Sequence, residues 1–346
     1  MEALTCDRLP DHLADVEAVE DLLSTPTQAL IDDLAALDGD ILVLGVSGKM
    51  GPTLARLAKR AAPRKRILGV SRFTEPGVRD RLESWGVETQ ACDLLEREQV
   101  AALEKLPNVI HMTGRKFGTS GEEPLTWATN TLVPAYAAEA FAEARIVTFS
   151  TLCVYPFVSV TGGGSREDEP TGASGEYPIS VVGRERIFEH FSRRFGTPGR
   201  LMRLCYAIDM RYGVLHEIAT KVRDGIPIDL ATGHVSIIWQ GDASAQILRT
   251  LCHCTAPTSP LNIVAPEVVS VRALATAFGR HFDCEPVFAG SEADTAWLAN
   301  GTEAARLFGN PVVSTARMID WTADWVARDM PAYGKPTRYD VRDGRF

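Results

Sequence analysis

The stretch ILVLGVSGKMGPTLARLAKRAA, residues 41–62, constrains this chain more than any other. A short apolar run, Ile41 to Leu44, reads as a buried strand and stops at Gly45; Gly48 and Gly51 follow. From Thr53 to Ala62 the apolar residues recur with helical spacing. A strand, a glycine turn and a helix aim bare backbone N–H groups and a helix N-terminus at an anion. Gly45 permits a tight turn, Gly48 lets backbone approach a pyrophosphate, and Gly51 lets the helix pack against the strand. The spacing is G-x-x-G-x-x-G, not the commoner G-x-G-x-x-G, so the context carries the reading. Gly45, Ser47, Gly48, Lys49, Met50 and Gly51 are expected to hold a dinucleotide, the alternative being a merely structural turn.

The same alternation continues. RKRILGVSRF reads as a second strand, GVETQACDL as a third, PNVIHMTG as a fourth, RIVTFSTLCVY as a fifth and RLMRLCYAI as a sixth. Helical segments such as REQVAALEKL and ATNTLVPAYAAEAFAEA lie between most of them. Strands alternating with helices predict an α/β fold, a Rossmann-like doubly wound parallel sheet with right-handed crossovers. After about residue 207 the pattern loosens into helices and one short strand, PIDL, which predicts a smaller C-terminal substrate lobe. The expected organisation is a helical N-terminal extension (1–38), a dinucleotide-binding domain (39–207), a mainly substrate-binding lobe with segments returning to the sheet (208–330), and an irregular tail (331–346). Ser24-Thr25-Pro26 reads as a helix start inside the extension. VTGGGSREDEPTGASGEY, residues 160–177, reads as a mobile loop.

Bulk properties exclude other classes. A chain of 346 residues holds one large domain or two closely joined ones. A net charge of −9 argues against a nucleic-acid partner. No apolar run approaches the length of about 18 residues that a spanning helix needs, so no membrane partner is expected. The acidic N-terminus lacks the apolar core of a signal peptide. Seven scattered cysteines fit a reducing cytoplasm. Cys252-His253-Cys254 lacks a second pair to complete a metal site, so no metal is expected.

The second strand should end in an acid if a ribose 2′-hydroxyl is to be held. It ends instead in Val70-Ser71-Arg72. Arg72, with Lys49 adding charge, would suit a 2′-phosphate, which favours NADP(H) somewhat over NAD(H); otherwise Arg72 is a solvated loop arginine. Asp93-Leu94 after the third strand would hold the adenine amino group, or merely cap a strand end.

In this order the motifs resemble the extended short-chain dehydrogenase/reductase superfamily, the NAD-dependent epimerase/dehydratase group, over roughly residues 39–330. HMTG resembles the turn beside the nicotinamide ribose, which would place Thr113, Gly114 and Arg115 at the cofactor. FSTLCVYP resembles the family's Ser-Ser-x-x-Val-Tyr-Gly stretch and puts Thr151 at the catalytic Ser/Thr position; Tyr177 falls at the catalytic tyrosine. The resemblance implies that tyrosine acts as general acid/base on a hydroxyl or ketone, that threonine hydrogen-bonds the same oxygen, and that hydride moves to or from the cofactor. It also implies a carbohydrate-like small-molecule substrate, with Lys221, Arg223 or Arg249 as candidates for a nucleoside diphosphate, and a homodimer joined through a four-helix bundle.

The chain departs from the pattern where the family has a lysine four residues after the tyrosine: here stands Val181. Three readings stay open. The chain binds the cofactor without catalysis, as a redox sensor or regulatory protein; another cation, Arg184 on the tyrosine's helical face or Arg115 or Lys116 after the fourth strand, substitutes; or the tyrosine works with an untuned pKa. Leu152 and Cys153 stand where 4,6-dehydratases carry Asp-Glu, so that activity is rejected, leaving an epimerase or oxidoreductase acting on a sugar, sugar acid or related hydroxy-carbonyl compound.

Overall fold

A computed structural model describes residues 2–116 and 121–344. Seven strands form the central sheet: β1 (Ile41–Leu44), β2 (Ile67–Ser71), β3 (Glu88–Ala91), β4 (Asn108–His111), β5 (Arg145–Thr151), β6 (Gly199–Leu204) and β7 (Ser259–Ile263). Their order is β7-β6-β5-β4-β1-β2-β3, and every neighbouring pair runs parallel. β1 is buried on both faces, which is why its four residues are all apolar. Ile41 and Val43 join a core with Leu54, Leu57 and Ile247, while Leu42 and Leu44 join another with Val109, Phe141 and Phe188. The chain leaves β1 toward β2 on one side and later returns to β4 on the other. This reversal opens a crevice at the carboxyl ends of β1 and β4, where ligands of such sheets bind.

The single strand expected over RLMRLCYAI is two. β6 ends at Leu204, and Tyr206–Ile208 joins a separate three-stranded sheet with His234–Trp239 and Val268–Ser270. Cys205 is the pivot, its N–H bonded to Ile263 O. This small sheet and the helices Val214–Arg223, Val271–Phe282 and Thr315–Ala327 enclose a second core around Trp239, Trp321 and Trp325.

The N-terminal segment carries two helices, α1 (Val16–Leu23) and α2 (Gln28–Ala36). Ser24 closes α1 by donating to Glu20 O at 2.7 Å, and Thr27 rather than Ser24 caps α2. The expected start signal was displaced because Ser24 bonds backward. Val19, Leu22 and Leu23 join the second core and Leu30 and Leu34 the sheet's core. Glu20 accepts from Arg211 at 3.0 Å and Arg81 at 2.9 Å, so α1 ties the two lobes.

The segment 160–177 makes hydrogen bonds to distant elements at several points. Ser165 exchanges backbone bonds with Leu298 and Asn300, Asn262 N–H donates to Glu167 Oε1 at 2.9 Å, and Gly172 N–H bonds Val154 O. Composition concealed these long-range partners. Among the described residues no helix is long and apolar enough to cross a membrane, and no group of three or more His, Cys, Asp or Glu residues is placed to hold a metal.

Candidate active site

Two cavities meet in the crevice and share Gly45 and Gly114. The first, about 260 Å³, is lined by Ser71, Arg72, Asp93, Leu94, Thr113 and Arg115. The second, about 310 Å³, is lined by Gly48, Lys49, Met50, Lys116, Thr151, Tyr177 and Arg184, with Tyr206 and Tyr212 from the smaller lobe. Gly45 has φ +83° and its backbone touches Thr113, so a Cβ there would lie 2.7 Å from Thr113 Oγ1. A Cβ on Gly51 would lie 2.1 Å from Val46 O, so the start of the helix closely approaches the turn that follows β1. At Gly48 the nearest atom is 3.5 Å away, leaving its backbone approachable. The buried hydroxyls of Ser47 and Thr113 lack hydrogen-bond partners here. Buried polar groups are normally satisfied, so these orphans and the glycine cradle fit a dinucleotide spanning both cavities.

Lys49 corrects an expectation. It does not stand beside Arg72 but lines the second cavity, its ammonium 3.4 Å from Ala207 O and 4.5 Å from the Tyr212 ring. The smaller lobe faces the glycine loop and supplies those acceptors. Its side chain is open to the cavity, yet crowding by protein lowers its pKa to about 8, with Asp209 opposing. Arg72 instead lies 4.0 Å from the Asp93 carboxylate at the exposed end of the first cavity.

Thr151 ends β5, and Tyr177 opens the long helix α3 (Glu176–Phe195). Both side chains line the second cavity. Burial pushes the Tyr177 phenol up to about 12, while the nearby Arg184 and the Thr151 hydroxyl hold it down. Arg184, two turns along α3, is 4 % exposed. Its Nη1 donates to Phe149 O at 2.8 Å and its Nη2 to Asn130 Oδ1 at 2.6 Å. Burial lowers its pKa to about 10, which leaves it charged at neutral pH. Asn130 sits in a π-helical turn, Ala128–Leu132, and also binds Arg115 N–H, Arg115 O and Ser180 Oγ. Such turns recur at functional sites. Gly114 is required here too: a Cβ would lie 2.6 Å from Arg184 Nη2. Lys116 reaches the same cavity, 5.7 Å from the Tyr206 ring, and burial lowers its pKa.

Val181 is fully buried against Val154 and Tyr155 and lines neither cavity. A second buried network lies beneath: Arg203 pairs with Glu185 at 2.8 Å, Glu185 accepts from Ser150 Oγ at 2.6 Å, and Tyr155 joins Arg203 to Asn262.

Residues 41–236 match the model of the NAD dependent epimerase/dehydratase family. The chain belongs to that family. Its fold is shared by solved structures at low identity. A UDP-glucose 4-epimerase from Thermotoga maritima, solved with UDP-glucose, is 17 % identical with TM-score 0.70, over 84 % of this chain and 99 % of that one. A dTDP-glucose 4,6-dehydratase double mutant from Streptomyces venezuelae, with NAD and DAU bound, is 19 % identical with TM-score 0.70, over 84 % and 97 %. MoeE5 with UDP-glucuronic acid and NAD is 18 % identical with TM-score 0.68, over 84 % and 100 %. No curated protein sequence matches the chain at a significant level.

In this family member the charged residues offered for a nucleoside diphosphate are engaged elsewhere. Lys221 pairs with Glu217 at 3.3 Å, Arg223 with Asp224 and Asp329, and Arg249 with Asp33 at 2.6 Å. Asn130, Tyr212 and Thr337 line or order the site without having been singled out from sequence. Asn130 hides in an ordinary helical pattern, and Thr337 in a tail without periodicity.

Proposed function

We propose that this chain is an NAD(P)-dependent enzyme that oxidises, reduces or epimerises a hydroxylated carbonyl compound of the sugar or sugar-acid class. The observation that carries it is that Thr151, Tyr177 and the Arg184 guanidinium together line the second cavity. A nicotinamide bound there supplies the hydride acceptor or donor. Tyr177 takes the proton from a substrate hydroxyl as its phenolate, or returns it as the phenol. Thr151 orients the same oxygen. Arg184 favours the phenolate electrostatically and so stands in for the lysine that Val181 replaces. Asn130 holds the guanidinium in place. No Asp or Glu lines the cavity among the described residues, and Leu152 and Cys153 are buried beside Thr151, which supports redox or epimerisation over dehydration.

NADP(H) is our reading of the cofactor, supported by Arg72 at the open end of the first cavity and by the lack of an acid ending β2. A homodimer is supported by Leu125, Leu132 and Ile179, apolar residues left exposed on adjoining helices. A second reading, a non-catalytic dinucleotide sensor, draws support from the phenol pKa near 12. One experiment separates them: nicotinamide absorbance is followed with each cofactor across a panel of sugars and sugar acids. Turnover that is lost in Tyr177→Phe supports the enzyme; cofactor binding without turnover supports the sensor.

A further inference from the structure

The N-terminal extension lies outside the residues 41–236 that match the family model, yet one of its carboxylates is buried in the body of the chain. Glu20, on α1, is 8 % exposed. Its Oε1 accepts from Arg211 Nη1 at 3.0 Å and from Arg81 Nη1 at 2.9 Å. Arg81 belongs to the helix Val78–Ser84, between β2 and β3. Arg211 belongs to the turn that follows Tyr206–Ile208 in the smaller lobe. Both guanidinium groups meet one carboxylate oxygen. Without it two cations would face each other, and a buried charge stripped of its partner is strongly unfavourable.

Arg211 also fixes its own turn. Its Nε and Nη2 donate to the two oxygens of Asp209, at 3.0 and 2.7 Å, and its N–H donates to Asp209 Oδ1 at 2.9 Å. Asp209 takes these donors, which leaves Nη1 to Glu20. Asp209 and Arg211 are themselves buried. Asp209 and Tyr212 then exchange backbone bonds, Asp209 N–H to Tyr212 O at 3.2 Å and Tyr212 N–H to Asp209 O at 3.0 Å. Tyr212 closes the turn, is half-buried, and lines the second cavity with Thr151 and Tyr177. The Lys49 ammonium lies 4.5 Å from its ring centre. The ring is thus held from the glycine loop and its backbone from the Glu20–Arg211–Asp209 chain. A phenol held this way is preorganised, and its hydroxyl can donate or accept a hydrogen bond.

We propose, resting on the reading of the second cavity as the site of a sugar-class substrate, that Tyr212 hydrogen-bonds a substrate hydroxyl and that Glu20 is its positioning residue, acting through Arg211 and the Asp209–Tyr212 turn. The N-terminal extension thereby completes the substrate cavity from outside the region matched to the family.

The NADH complex of the full chain is titrated calorimetrically with D-glucose, D-galactose, D-gluconate and D-glucuronate. Tyr212→Phe weakens the compound that binds best by about fivefold, the loss of one neutral hydrogen bond. Glu20→Ala weakens it by up to about the same factor. Glu20→Gln, which keeps an acceptor oxygen, weakens it less. In the Tyr212→Phe chain, Glu20→Ala adds nothing further, whereas a merely structural role would give additive losses. Hydrogen exchange is followed on the ligand-free proteins. The Asp209 and Tyr212 amides exchange about tenfold faster in Glu20→Ala, while those of Ile41–Leu44 keep the wild-type rate. Should Glu20→Ala fail to fold, Glu20→Gln replaces it in each comparison. Unchanged affinity in Tyr212→Phe, additive losses in the double variant, or exchange that is unchanged at Asp209 and Tyr212 or raised equally in β1 overturns the proposal. Binding of none of the four compounds refutes the sugar-class reading and the Tyr212 contact with it, and the exchange rates still decide the positioning.

Discussion

Arg184→Met removes the cation beside Tyr177 while keeping a long stem in its channel. Two buried acceptors, Phe149 O and Asn130 Oδ1, lose donors at 2.8 and 2.6 Å. Asn130 Oδ1 still accepts from Arg115 N–H, so the loss falls on Phe149 O; leaving a buried acceptor unsatisfied costs about 1–3 kcal/mol, and the unfolding free energy should fall by about that much. The chemical effect is separable from this loss. Burial already pushes the Tyr177 phenol to about 12, and Arg184 opposes that rise. An opposite charge within reach moves a pKa by roughly one to three units, so its removal raises the phenol pKa by about one unit or more. Oxidation that needs the phenolate increases with pH up to that pKa. The rising limb of the kcat profile therefore moves to higher pH, and kcat at neutral pH falls by about tenfold per unit. Arg184→Lys, which keeps a charge, should restore part of the profile. The assay is kcat against pH on the panel substrate that turns over, with the folded fraction fixed by a urea midpoint. A profile for Arg184→Met that superimposes on the wild type after scaling for folded protein refutes the role.

Val181→Lys buries an ammonium among Val154 and Tyr155, and an uncompensated buried charge should cost about 3 kcal/mol or more in urea unfolding without raising turnover; a rise in turnover would show that position 181 reaches the cavity. Arg72→Ala should weaken NADPH by about tenfold relative to NADH in equilibrium titration, the loss of one charged contact; equal weakening of both cofactors would remove the 2′-phosphate argument. His111 is fully buried, bonded to Thr148 Oγ1 at 2.9 Å, and burial lowers its pKa to about 3. A histidine pKa depressed in the folded state gives stability that is present above its unfolded value and lost as pH falls below about 6.5, at up to about 1.4 kcal/mol per pH unit. Asp242, raised to about 6 by burial, acts with the opposite sign over part of that window, so urea unfolding of wild type and His111→Asn should be compared between pH 7 and about 5, near the middle of the titration; equal slopes would contradict the His111 contribution.

The sheet was legible because parallel strands buried on both faces must be apolar runs, and ILVL is one, while the polar edge strand β3, ETQA, was marked only by its place in the alternation. The glycine loop was legible because Gly45 and Gly51 each answer a separate steric demand. The lobe's strand switch was not, since RLMRLCYAI is equally apolar before and after Cys205 and only partner strands distinguish the halves. Lys49 illustrates the same limit: its place in the loop was readable, but its direction depends on Ala207 and Tyr212, far along the chain. Val181 was readable as an anomaly. That Arg184 occupies the space between Gly114, Asn130 and Phe149 follows from a helix phase plus three partners from other elements. Thr337 carried no local signal at all.

The central claim is that Tyr177 moves the proton when a substrate hydroxyl is oxidised in this cavity. Reduction of bound nicotinamide, followed by absorbance in a single turnover with the best panel substrate, tests it most directly in wild type and Tyr177→Phe. The account predicts a rate at least about a hundredfold lower in the variant, the scale of general acid–base help, with cofactor affinity unchanged. Equal rates in the two proteins would contradict it.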